Sequence, residues 1–170
     1  MNKRIIISVI LVIIWMAFIY FMSNMNRDES SSTSRTIVVD VINKIDEMTH
    51  ASSETIKKHQ TYDYIKRVHH IFRKFSHTLV YMALAILIFN LLIQLRKRKL
   101  FIYNLLTIML CFIYACTDEY HQTFILGRGG QFTDVLIDTL GAIVGCFLIS
   151  MVYLIVKRRQ KKRRLNYNLL

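Results

Sequence analysis

The sequence predicts an all-α integral membrane bundle of four transmembrane helices, with both termini on the cytoplasmic side. Three observations carry this expectation. The 170-residue chain is 54% hydrophobic with mean hydropathy +0.34, too apolar for an ordinary soluble domain of this size. Four apolar runs, about residues 5–22, 77–93, 100–116 and 135–156, approach the ~17–25 residues that a bilayer core requires. Acid-free basic clusters flank those runs at Lys3-Arg4, at 96–99 and at 157–164, the pattern that holds loops on the cytoplasmic face.

The first run has a short basic front, as a secretory signal does. Its apolar core is too long for a signal, and "FMSNMNRDE" has no small-x-small cleavage site. It reads as an uncleaved signal anchor. An even number of spans returns the C-terminus to the side of the N-terminus. The long segment 23–76 and the turn between the last two spans are then extracytoplasmic. Every carboxylate and all six histidines fall in these segments or at the outer ends of spans.

Within 23–76, "SSSTSR" reads as a polar turn able to cap a following helix. Next, Val38, Val41, Ile42, Ile45 and Met48 recur at three- and four-residue spacing, an amphipathic helix. A second amphipathic pattern, with Ile65, Val68, Phe72 and Phe75 on one side, feeds directly into the second span. Both can lie in the outer membrane interface or pack on the outer end of the bundle. The basic tail 157–170 reads as a cytoplasmic anchor that meets anionic lipid.

The net charge of +12 does not imply nucleic acid, because the basic clusters sit at the ends of apolar runs rather than on a soluble face. Cys111, Cys116 and Cys146 all fall in apolar runs. An odd number of thiols in lipid is no disulfide framework, so they read as packing residues.

Chemistry concentrates at the outer ends of the last three spans. Arg73, His77 and Tyr81 are four residues apart and form one stripe of the second span, with Lys74 beside it. Donors entering a membrane need acceptors, which lipid does not supply. The last span offers them: Asp134, Asp138, Gly141 and Gly145 share a face, and the two glycines make a GxxxG, which admits a close helix neighbour. The third span ends "TDEYHQ", with Asp118, His121 and Gln122 on one face and Glu119 to the side. Arg128 stands in the glycine-rich turn "LGRGG", able to fork onto a carboxylate or a phosphate.

Ionisable residues at membrane depth mark functional sites by default, and this is a dense cluster. A purely structural network holding the helices in register uses the same residues. The ligand types for a metal are present in His77, His121, Asp118 and Glu119, but no HExxH accompanies them, so neither metal nor cofactor is expected. Paired carboxylate and histidine suit acid–base work, yet no nucleophile is singled out; Ser76 and Ser23 have no signature around them.

These motifs resemble the VanZ-like family, named for low-level teicoplanin resistance. The resemblance rests on "RKFSHTLVYMALAIL" and "TDEYHQTFILGRGGQFTDVLIDTLGAIVG", and more loosely on "WMAFIYFMSN" and "ESSSTS". Arg73, Lys74, His77, Tyr81, Glu119, His121, Gln122, Arg128, Asp134 and Gly141 match its recurring positions. Leu126 departs where a proline often precedes the glycine-arginine pair, and Asp138 where many relatives carry asparagine. The resemblance implies a small multi-span protein of the bacterial cytoplasmic membrane, with resistance linked to reduced lipoglycopeptide binding at the cell surface. It implies no settled catalytic activity. Three functions remain open: binding of an anionic envelope ligand or lipoglycopeptide, an enzyme acting on a lipid-linked cell-wall intermediate, and a network serving assembly alone. The partners expected are membrane lipids and such a lipid-linked ligand, and no nucleic acid.

Overall fold

Hydropathy and helical periodicity drive the same outcome along the whole chain. The computed structural model describes residues 3–24, 27–50, 52, 55–57, 61–95, 99–125 and 129–167, and among these no strand occurs. Five long helices follow in order: α1 (Lys3–Asn24), α2 (Arg27–Met48), α3 (Tyr62–Leu95), α4 (Leu100–Gln122) and α5 (Phe132–Tyr167). Four of them contain stretches long and apolar enough to cross a membrane: Lys3–Asn24, Ile71–Leu95, Leu100–Gln122 and Phe132–Arg164. Their outward side chains include Ile7, Ile13, Phe101 and Phe147, all more than half exposed, a surface suited to lipid.

α3 is the central element. It packs against each of the other four helices, most extensively against α5. The α3–α5 interface is set by the two glycines. A Cβ on Gly141 would collide with the Thr78 backbone, and one on Gly145 with the carbonyl oxygen of Met82. The two backbones therefore touch, as the GxxxG spacing predicts. Because the contacts pair 78 with 141 and 82 with 145, α3 and α5 run parallel.

α1 runs antiparallel to α3, pinned by Trp15 Nε1 donating to Val80 O at 3.0 Å and Gln94 Nε2 donating to Ser8 Oγ at 2.8 Å. Against α4 it runs parallel, with Tyr114 Oη donating to Met16 O at 2.6 Å. Far from the acidic end, Ser150 Oγ donates to Asn104 Oδ1 at 2.9 Å. Between these polar clamps lies an apolar core that includes Ile19, Leu84, Ala85, Ile88, Ala115, Val135 and Ala142. Cys111 and Cys146 belong to it as free thiols. The beginning of α1 and the end of α5 share the basic end of the bundle, and the described residues of the polar cluster lie toward the other end.

One local reading changes. The "SSSTSR" stretch is no turn: residues 30–35 lie inside α2. Continuing a helix adds one bond per residue fixed, whereas starting one is costly, so a serine-rich stretch with only a modest propensity penalty is carried along. The second amphipathic pattern does feed directly into the span, the two being continuous in the 34 residues of α3. On α2 only part of the apolar stripe packs. Ile42 is buried, while Ile37, Val41, Ile45 and Met48 remain exposed along the helix. That face suits a membrane interface, although α2 also leans on α3.

Candidate functional site

The polar cluster forms because three helix stripes converge at one end of the bundle. Gly141 brings α3 and α5 together, so the residues one and two turns nearer the acidic end are forced opposite one another. Asp134 meets Arg73 at 3.5 Å and Lys74 at 3.3 Å. His77 Nδ1 lies 3.7 Å from Asp138 Oδ1. Arg73, Lys74 and His77 each keep 28% side-chain exposure, whereas Asp138 has none. The cations form the rim and the acid lies beneath them.

α4 supplies the third side. Asp118 is 4% exposed and Oδ2 of its carboxylate accepts from Ser23 Oγ at 2.8 Å and Gln122 Nε2 at 3.2 Å. Gln122 Nε2 also donates to Ser23 Oγ at 3.4 Å. One oxygen of Asp118 is thereby supplied with donors, while the other, Oδ1, has no hydrogen-bond partner among the described residues. Neither oxygen of Asp138 has one, nor does the hydroxyl of fully buried Tyr81. Native interiors leave few buried polar atoms unpaired, and such groups call for a reason.

Glu119 has a different task. Its Oε2 accepts the backbone N–H of Gln131 at 2.9 Å, just before α5 begins. A carboxylate there ties the α4–α5 turn to the positive end of the α5 dipole. Gly130 is required at the same place, because a Cβ would strike the Glu119 carbonyl oxygen and the Thr123 side chain. His121 turns toward α1 and stacks on Tyr20, ring centroids 4.7 Å apart and 29° from parallel. Arg128 and Leu126 lie outside the described residues.

The sequence reading missed the α1 contribution. Neither Ser23 nor Tyr20 stands in a pattern that marks it out in the sequence. A weak signal existed: Ser8, Val12, Ile19 and Ser23 are the buried residues of α1, one stripe with a serine at each end of an otherwise apolar helix. Ser23→Ala is expected to lower the thermal stability of the purified protein by ~1–2 kcal/mol, because a buried carboxylate loses a donor; thermal unfolding in detergent measures it.

Beside the cluster an apolar crevice of about 80 Å³ opens between α1 and α3. Phe18, Met22 and Val80 line it, and Ser23, His77 and Tyr81 form its polar border. The arrangement places a greasy slot, a charged rim and a half-buried histidine above a buried carboxylate side by side.

Neither a curated protein nor a solved structure matches the chain. The family model VanZ/LLP1 matches residues 8–155, which takes in the two middle spans, most of the first and last, and every residue of the polar cluster. The chain belongs to the VanZ/LLP1 family.

Proposed function

We propose that this multi-span VanZ-family protein sits in the bacterial cytoplasmic membrane with the polar cluster facing outward, and that the cluster binds an anionic, lipid-linked envelope ligand. The acid-free basic segments at the opposite end support this orientation by the positive-inside tendency. One observation carries the binding reading: Arg73 and Lys74, both partly exposed, share the single carboxylate Asp134 at the rim. Two cations on one acid leave a positive balance, and a guanidinium can fork onto a phosphate. The crevice beside His77 offers an apolar slot to the lipid part of such a ligand.

On this reading the protein contributes to teicoplanin resistance by holding or screening a surface component. Arg73→Ala and Lys74→Ala are expected to lower teicoplanin resistance at unchanged protein level, measured by susceptibility in cells expressing each variant. Unchanged resistance in both, with normal membrane abundance, counts against a role for this site.

A second reading, an enzyme acting on a lipid-linked cell-wall intermediate, draws support from the His77–Asp138 pair, whose residue types suit proton transfer. Turnover of a purified lipid-linked substrate that disappears in His77→Ala would favour it over binding. A network serving assembly alone instead predicts that every variant acts through protein level.

A further inference from the structure

We propose that His77, Asp118 and Asp138 form a binding site for one divalent transition-metal cation of the zinc or manganese type. One ligand atom from each residue lies within 4.8 Å of the other two, and the three come from α3, α4 and α5. The sequence offered His121 and Glu119 as companions to His77 and Asp118. The fold sends those two to Tyr20 and to the Gln131 N–H, and puts Asp138 in their place.

The geometry fits an ion better than a hydrogen-bonded pair. The 3.7 Å between His77 Nδ1 and Asp138 Oδ1 is too long for a hydrogen bond. Two ligands of one ion at metal–ligand bonds of ~2.0–2.2 Å stand roughly 3–3.5 Å apart, so a small inward movement closes the site. The free atoms are those a metal needs. Both oxygens of the fully buried Asp138 and Oδ1 of Asp118 lack a hydrogen-bond partner among the described residues.

The surroundings orient one ligand in the way metal sites do. Ser23 and Gln122 both donate to Asp118 Oδ2, which holds the carboxylate in place and leaves Oδ1 without a donor among the described residues. Charge agrees as well. No lysine or arginine among the described residues pairs with Asp118 or Asp138, because Arg73 and Lys74 are both engaged by Asp134. Two buried carboxylates are balanced by one doubly charged cation. A mixed set of one imidazole and two carboxylates, with no thiolate, suits zinc or manganese rather than the all-oxygen cages of calcium or the sulfur sites of copper(I).

The test uses the full-length protein purified in detergent without a polyhistidine tag, stripped with chelator and dialysed against zinc alone or manganese alone. One equivalent of one of these metals per chain is expected in the wild type and in His50→Ala, a change in an exposed turn outside the cluster. Asp138→Asn and His77→Ala are expected to lower affinity by more than ~10-fold. The wild-type unfolding midpoint should rise with the metal, and that of isosteric Asp138→Asn should not. If Asp138→Asn fails to fold, Asp118→Asn carries the same expectation. No stoichiometric metal in the wild type, or full binding retained in a folded Asp138→Asn or Asp118→Asn variant, overturns the proposal. Because the probe is the metal alone, this outcome does not depend on whether the site also binds an anionic lipid.

Discussion

Replacing Gly141 by alanine is expected to destabilise the folded bundle by ~1–3 kcal/mol, the range for forcing atoms into a packed interior. The reason is specific to its neighbour. The added methyl would meet the Thr78 backbone rather than the end of a flexible side chain, so relief requires that α3 and α5 move apart. Such movement separates His77 from Asp138 and Arg73 from Asp134 at the same time, since both contacts lie on the same interface. Gly141→Val should go further and abolish recovery of folded protein. Thermal unfolding in detergent measures the alanine variant, and wild-type stability in Gly141→Ala would refute the close backbone contact. Gly145 stands one turn further along the same interface, where a methyl would meet the Met82 carbonyl oxygen. The paired change Gly141→Ala/Gly145→Ala is expected to cost less than the sum of its parts, because helices already displaced by the first methyl admit the second.

The second large effect concerns the buried acid. In metal-free buffer His77→Ala is expected to cost up to ~3 kcal/mol, the lower end of what breaking a buried ion pair costs, because the His77 side chain keeps 28% exposure. Adding Asp138→Asn to His77→Ala should recover most of that stability, since the uncompensated carboxylate is then gone. The double-mutant cycle is informative because 3.7 Å separates the two groups and Asp138 is fully buried. Independent, additive costs would show that the pair does not interact.

Much of this architecture is local information. Runs of apolar residues report spans because burial in lipid depends on composition over ~20 residues. The stripes Arg73–His77–Tyr81 and Asp134–Asp138–Gly141–Gly145 are legible because a helix returns to the same face every three or four residues. Their mutual pairing follows once the glycines name the contact. Other features depend on which helix lies opposite, and no local pattern contains that. Ser23 is an unremarked serine until α1 is placed beside α4, where it becomes a donor to Asp118. Glu119 looks like a member of an ion-pair network, yet its partner is a backbone N–H supplied by the following turn. The misreading of "SSSTSR" has the opposite cause: local serine propensity argued for a turn and helix propagation outweighed it.

The amino-acid sequence by itself determined the class of protein, the number of membrane-spanning helices and the residue types that gather at one end, because each depends on short-range periodicity and transfer to lipid. Only the tertiary structure decided which acid faces which base. It engages Arg73 and Lys74 with Asp134, sets His77 against Asp138, supplies one oxygen of Asp118 with donors and leaves the other free. The Arg73, Lys74 and His77 pairings follow from the α3–α5 approach at Gly141 and Gly145, where the absence of two side chains fixes the register of the two helices, and the Asp118 contacts follow from α1 lying beside α4.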